Sequence, residues 1–419
     1  MSSRGLAPSM RSTSAFWFEA GLVMRRVAIG AAALALIATD NGDVPPAVQA
    51  RNTHVVVGDG ALAHYDYPGL MHLHTAYSDD ATGTYESLAA AASAQGIRFL
   101  IVTDHNTLKP IEDNKPGWRD GVLMMTGVES SRPEGHLLAL GVRTTVANAD
   151  APTEAFLTDV ARQGGQTLLA HPTHRRWAWK GPVDDRVMGL EILDLADQFY
   201  AAPTVAKAAA VAALPFRKID AYLELDSRPD VALRLWDEIG ARRRFVGVYA
   251  PDLHQAMELS DDLKIPFPPA ADIMRIARNH IVSDAPFSGR ADHDEGLIRD
   301  ALAEGRLFVS LDTLGDGTGF MFTAKGASDT AWMGDEVRAG SARTYHVDLP
   351  EAAQRLGATA RLYRDGRRVA QSRPGDRSLT FSSADAGVYR VEVAATRTDL
   401  SGRRREIIWI YSNPIYARA

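Results

Sequence analysis

The 419-residue sequence predicts an α/β domain followed by a smaller antiparallel β-domain, on three observations. From Leu70 to about Ser310, short apolar strands alternate with helical patterns, the texture of a sheet covered by helices. Many of those strands run directly into a histidine or a carboxylate, and the carboxyl ends of parallel strands are where such folds carry functional groups. From Gly319 the pattern changes to short alternating strands separated by turns, which reads as a small antiparallel β-sandwich. The expected division is an N-terminal extension with signal peptide over 1–50, the α/β domain over 51–316 and the β-sandwich over 317–419.

Met24-Arg25-Arg26 followed by the apolar run Val27–Ala38 has the charged and apolar regions of a secretory signal, and Val48-Gln49-Ala50 offers small residues for cleavage. The run is short for a bilayer span, so a periplasmic or secreted protein with no stable membrane span is expected; a disordered or membrane-tethering N-terminus is the alternative. Met24 is then a candidate start. His54–Val57 reads as a first strand, Tyr85–Gln95 as an Ala-rich helix closed by Gly96, and Phe99–Val102 as the strand after it. Thr153–Gln163 reads as a helix preceding Gly164-Gly165 and the strand Thr167–Ala170, and Phe245–Tyr249 as a later strand. In the β-domain the expected strands are Phe320–Thr323, Arg343–Val347, Thr359–Arg364, Ser378–Ser382, Val388–Ala394 and Glu406–Ser412, with Asp365-Gly366 as a hairpin turn.

Hydrophobic residues make up 46% of the chain and charged residues 23%, enough for a large core and more than one domain. A net charge of −6 gives no electrostatic footprint for nucleic acid, leaving a small-molecule substrate as the expected partner; the oligomeric state stays open. The chain has no cysteine, so any metal must be held by His, Asp and Glu.

Such residues cluster at strand ends. If Leu70–His74 is a strand, alternation turns His72 and His74 to one face, where two imidazoles can meet one cation; Asp252 and His254 repeat the spacing. With Asp79, His105, Glu129, His136 and His171 the set is larger than one ion uses, which implies two or three divalent ions (zinc, manganese or iron) sharing a bridging carboxylate. Asp104 reads as a group that orients an imidazole, His174 as facing substrate or solvent, and His54, His64, His280, His293 and His346 as non-ligands.

His72-Leu73-His74 with Ser78-Asp79, Thr103-Asp104-His105-Asn106, Gly127-Val128-Glu129, Gly135-His136, Ala170-His171-Pro172 and Asp252-Leu253-His254 resemble, in order, the motifs of the polymerase-and-histidinol-phosphatase (PHP) metallohydrolases. Leu235–Glu238 and Ile298–Arg306 resemble the exported branch typified by the carbaryl hydrolases CehA and McbA. The resemblance implies a distorted (β/α)7 barrel over 51–316 with a trinuclear site: His72, His74, Glu129 and Asp252 on one ion, Glu129 bridging to a second ion held by His136 and His171, and Asp79, His105 and His254 on the third. Two departures stand out. Ser78-Asp79-Asp80 replaces the usual Ser-Asp-Gly, so that Asp80 competes with Asp79, and Tyr249-Ala250-Pro251 replaces small residues before Asp252.

Closely spaced ions of this kind lower the pKa of water enough to supply hydroxide near neutral pH, so no serine or cysteine nucleophile is required. The expected activity is hydrolysis, foremost of phosphomono- or diesters, with Glu129, Asp252 and His254 as the catalytic residues. A carbamate or carboxylic ester hydrolase is the second reading, with Trp177 and Trp179 available to stack on an aryl group. A non-catalytic exported metal- or carbohydrate-binding protein is the third. Arg175 and Arg176 read as a solvated turn that an anionic substrate could nevertheless meet.

Overall fold

A computed structural model of the chain describes residues 53–57, 62–144, 146, 149–260, 263–265 and 267–419. The extension and signal peptide expected over 1–50 lie outside the described residues. Among the described residues no helix is long and apolar enough to cross a membrane.

Strand β1 (Thr53–Val57) pairs antiparallel with the first half of β2 (Leu62–Leu73). The second half of β2 lies parallel to β3 (Phe99–Val102); the short β4 (Gly117–Arg119) folds back on β5 (Val122–Arg132), which is itself parallel to β3. Next come β6 (Gly135–Leu140), the reversed strand of the series, then β7 (Gln166–Ala170), β8 (Val187–Asp194) and β9 (Val246–Ala250), the last three mutually parallel. Beyond β9, Leu253 forms a parallel bridge with Leu73, so the path of pairings returns to β2. The carboxyl ends of β2, β3, β7 and β9 thereby share one end of the fold. Because β6 is reversed, its first residues reach the same end, where His136 pairs with Ala170.

Apolar composition explains why these strands are central: Phe99–Val102 and Val246–Ala250 are buried along their whole length, as strands covered on both faces must be. Helix Tyr85–Ala94 packs over β3 and starts at a capping box between Thr84 and Ser87. Gly247 in β9 admits the Trp236 ring, since a Cβ there would lie 2.6 Å from it.

After a small hairpin of β10 (Met257–Ser260) and β11 (Leu263–Ile265), β12 (Arg278–Ser283) pairs antiparallel with β2, and β13 (Leu307–Ser310) with β12. Between β9 and these strands two buried asparagines stand in for a strand partner. Asn279 accepts from the Tyr249 N–H and donates to its carbonyl, both at 2.8 Å; Asn413 does the same for Gly247 at 2.9 and 2.8 Å. Backbone groups that would be buried without partners are thus satisfied.

The C-terminal region continues this ladder. Along it run β14 (Met321–Lys325), β15 (Thr330–Trp332), β16 (Glu336–Arg338), β17 (Arg343–Asp348), β18 (Thr359–Arg364), β19 (Arg367–Gln371), β20 (Ser378–Ser383), β21 (Gly387–Thr398), β22 (Arg404–Ser412) and β23 (Ile415–Arg418). One sheet has the order β15-β14-β17-β20. The other strands join β13 through β22, which pairs with β21 and through it with β18 and β23. Tyr345 of β17 stacks on Tyr389 of β21 with ring centroids 4.1 Å apart, which places the two sheets face to face. Asp365 and Gly366 take positive φ at the β18–β19 turn, as that dipeptide foretold. Arg390 of β21 is buried and grips Asp237 of helix Asp230–Gly240 with two bonds of 2.7 and 2.8 Å.

One feature of the fold has no counterpart in the sequence reading. Between β8 and β9 the chain inserts three short helices, Leu195–Ala201, Thr204–Ala213 and Lys218–Glu224, with a small apolar cluster of their own.

Candidate metal centre

The site is assembled where strands end irregularly. At the end of β2 the pairing with β3 steps from Met71–Ile101 to Leu73–Val102, so His72 is the extra residue of a bulge, in a left-handed conformation (φ 63°). His72 and His74 do converge, with ring centroids 5.1 Å apart, but through this bulge and not through the plain alternation of a strand. His171 and Asp252 also carry positive φ (26° and 46°), a costly conformation that concentrates at functional sites.

Glu129 stands at the centre, fully buried. Its Oε2 lies 3.2 Å from His72 Nε2, 3.3 Å from His74 Nε2 and 2.9 Å from His105 Nδ1. Its Oε1 lies 2.7 Å from His136 Nδ1 and 3.0 Å from His171 Nε2. Asp252 Oδ1 is 3.3 Å from both His72 Nε2 and His74 Nε2. The donor atoms fall into overlapping groups: His72, His74, Glu129 and Asp252; Glu129, His136 and His171; His74, His105 and His254. Eight of the nine residues singled out in the sequence are therefore brought together.

The ninth, Asp79, is exposed, and the carboxylate facing His105 and His254 belongs to Asp80. Asp80 Oδ2 lies 3.5 Å from His105 Nε2 and Oδ1 lies 3.6 Å from His254 Nε2. The reason is the turn that holds this segment. Ser78 Oγ donates to Asp104 at 2.8 Å and accepts from the His105 N–H at 3.0 Å, and the Ala81 N–H reaches back to the Ser78 carbonyl, which carries Asp80 inward and Asp79 outward.

Groups behind the histidines fix which nitrogen faces the centre. Asp104 also accepts from Thr75, and the Ser78 hydroxyl it holds accepts from His74 Nδ1 at 3.3 Å, so Asp104 orients His74 through Ser78. His254 Nδ1 donates to the Asp252 carbonyl at 3.1 Å. Sequence reasoning missed Glu191, whose Oε1 accepts from His72 Nδ1 at 2.7 Å and whose other oxygen accepts from the His171 backbone N–H. Its signal was a lone carboxylate within the apolar run Leu190-Glu191-Ile192. His174 turns out to be a loop anchor, its Nδ1 accepting from the N–H groups of Arg176 and Trp177.

Burial alone would raise the Glu129 carboxyl, but the imidazoles of His105, His72 and His136 outweigh it and hold it well below the usual carboxylate range. Burial, and then the neighbouring His254 and His105, push His74 down to about 3, so its ring is neutral with a lone pair on Nε2. Among the described residues, His72 Nε2, His74 Nε2, Glu129 Oε2, Asp252 Oδ1 and both oxygens of Asp80 are buried without a hydrogen-bond partner. Converging lone pairs left in this way fit divalent cations that prefer imidazole and carboxylate ligands.

A cleft of about 520 Å³ opens onto the cluster, lined by Asp80, His105, His136, Arg176, Trp177 and Lys180 among others. Trp177 stacks on His136 at 5.4 Å between centroids. Arg175 and Trp179 are not in that lining; the Trp179 indole reaches the Pro182 carbonyl.

A PHP-domain family model matches residues 71–181. The matched stretch holds His72, His74, Asp79, Asp80, His105, Glu129, His136 and His171, whereas Glu191, Asp252 and His254 enter the site from beyond it. An uncharacterized protein of Methanocaldococcus jannaschii is 26% identical over 113 residues, which is 24% of this chain and 66% of that protein, just short of two thirds of its length. A solved two-domain protein of Bacteroides vulgatus, described as containing a predicted PHP-like metal-dependent phosphoesterase, aligns over 85% of this chain and 99% of its own with 13% identity. Its TM-score of 0.39 is too low for residue roles to be drawn from it.

Proposed function

We propose that the protein is a metal-dependent hydrolase, acting on phosphomono- or diesters, with two or three divalent ions held by His72, His74, Asp80, His105, Glu129, His136, His171, Asp252 and His254. The observation that carries this reading is Glu129, whose two oxygens face separate groups of imidazoles, the placement of a bridging ligand. The strand path from β2 to β9 and back through Leu73 and Leu253 is read as the distorted seven-stranded barrel that the PHP resemblance implies.

Divalent cations bound there would supply Lewis acidity and a nucleophile from water near neutral pH. The chain's own part is positioning. Glu191 and Ser78 hold the Nδ1 protons of His72 and His74, which keeps each Nε2 lone pair directed at Glu129 and Asp252. Arg176 and Lys180 line the cleft and would attract an anionic ester. Burial of Glu129 and His72 excludes bulk water from the charges at the centre.

A carbamate or carboxylic ester substrate is the second reading, favoured by Trp177, which presents an indole in the cleft wall where an aryl group could stack. Protein loaded with manganese or zinc, with metal content measured, should hydrolyse 4-nitrophenyl phosphate or its diesters. Turnover of an aryl carbamate with none of either phosphate would overturn the phosphoester assignment. Full metal content with no turnover of any ester would overturn the enzyme reading in favour of a metal-binding protein.

A further inference from the structure

A second cavity, of about 90 Å³, lies within the inserted helices and shares no lining residue with the cleft over the metal centre. Phe199, Ala210, Leu214 and Pro251 contribute to a wall that is almost entirely apolar, and Asp252, one of the groups facing His72 and His74, belongs to that wall. Besides Asp252, the lining has two polar side chains: Lys207, whose ammonium donates to the Tyr200 carbonyl at 3.1 Å, and Tyr222. The Tyr222 ring lines the cavity, and among the described residues its hydroxyl is buried with no hydrogen-bond partner. A buried phenol without a partner loses the free energy of hydration and regains nothing, so a polar atom brought to it by a ligand would be bound favourably.

Resting on the hydrolase reading, we propose that this cavity is the subsite for the non-reacting part of the substrate: a compact branched alkyl group bearing one hydrogen-bond acceptor, which meets Tyr222. Several observations support this. Each cavity takes part of its wall from the candidate metal ligands, His105, His136 and Asp80 in one and Asp252 in the other. A substrate reacting at the cluster therefore has two places to put its remaining parts, one cation-lined and one apolar. An apolar cavity of about 150 Å³ admits benzene, so one of 90 Å³ suits about four carbon atoms. The phenol is best satisfied by an ether or carbonyl oxygen, to which it donates.

Two measurements on the full chain test the subsite separately from the hydrolase reading. Saturation-transfer NMR with methyl isopropyl ketone, which needs neither metal nor turnover, should show transfer to the probe's methyl groups. Leu214→Trp should abolish that transfer, and Tyr222→Phe should weaken binding about fivefold, the size of one lost hydrogen bond. Ala210→Met fills the same space more gently and replaces Leu214→Trp if that variant does not fold. In the metal-loaded enzyme, Leu214→Trp should raise KM for an isobutyl 4-nitrophenyl phosphodiester at least tenfold while leaving kcat/KM for 4-nitrophenyl phosphate within twofold. Probe binding without any ester turnover keeps the subsite and removes the hydrolase reading. Ester turnover with no probe binding and no response to either cavity variant removes the subsite and keeps the hydrolase.

Discussion

The adjacent aspartates at 79 and 80 differ by one step of a turn, and that step decides which one takes part. Asp80 is 4% exposed and faces His105 and His254, whereas Asp79 lies on the surface of the cleft. Asp80→Asn should lower metal occupancy, measured by elemental analysis after equilibration with limiting manganese, and reduce turnover at least tenfold; Asp79→Asn should leave both within about twofold. The reverse pattern would restore Asp79 as the ligand. Glu129→Ala removes the group common to both sets of imidazoles and should deplete more than one ion, so a variant with full metal content would refute the bridge. Glu191→Gln still accepts from His72 Nδ1 but no longer with a charge, and should weaken metal binding by about 10–100-fold without changing the ligand count. Residue types and spacing made the convergence of eight candidate ligands legible in the sequence. Glu191 was harder to see, because a group that acts from behind another residue leaves only a buried charge in an apolar strand. The choice between Asp79 and Asp80 has the same root: spacing along a chain does not say which of two neighbours a turn sends inward.

At the scale of elements, β9 carries Asp252 and His254 on the loop after it, yet among the described residues it pairs along its length only with β8. Its other edge is satisfied by Asn279, by Asn413 and by Tyr416, whose hydroxyl accepts from the Phe245 N–H at 3.0 Å and donates to its carbonyl at 2.9 Å. Asn413→Ala leaves a buried N–H and C=O of Gly247 unpaired and should cost about 2 kcal/mol or more in urea unfolding, with a matching loss of metal affinity because the Asp252 loop loosens. A second buried polar link ties β2, β12 and the loop after β13: His280 donates to Asp66 at 2.8 Å and to Asp312 at 3.2 Å. Burial would lower the His280 pKa, but Asp66 and Asp312 raise it to about 10. A raised imidazole pKa contributes stability in full below its unfolded value near 6.5, and the contribution fades as pH rises toward 10. Burial opposes Asp312 too, yet His280 brings it down to about 2, so its share is present above an ordinary carboxylate pKa and fades only in strong acid. Burial raises Asp66 despite His280, which sets a cost against the pair once Asp66 ionises. Unfolding free energy should therefore fall between pH 7 and 10 in the native sequence and fall less in His280→Gln; equal slopes would show that the imidazole is not the group responsible.

For the whole molecule, the sequence distinguishes two textures, and strand positions in the C-terminal part agree with the expected ones to within a few residues, because alternation and turn residues mark half-buried strands locally. How the two parts join was not legible, since pairing of β13 with β22 spans a long separation and no local pattern encodes a partner. The inserted helices escaped notice for a related reason: their Ala-rich stretches cover a small separate cluster and give little periodicity. The junction itself makes a prediction. Phe308 pairs with Ser412, the Trp409 indole donates to the Gly315 carbonyl at 2.9 Å, and Arg390 holds Asp237 by a bidentate ion pair that is almost fully buried on the arginine side. Removing residues 317–419 would expose the edge of β13, leave Asp237 and the backbone of Phe245 and Gly247 without these partners, and uncover the part of the apolar cluster that Phe308, Val309 and Leu311 share with Trp409 and Ile410. Breaking one buried charge pair of this kind costs about 3–5 kcal/mol, a large part of the stability of an ordinary domain. A chain of residues 53–316 should therefore show no cooperative thermal transition and bind no manganese above background. A fragment that unfolds cooperatively and binds metal with the stoichiometry of the full chain would mean that the C-terminal strands are dispensable to the site, and that β9 finds its support within the α/β part alone.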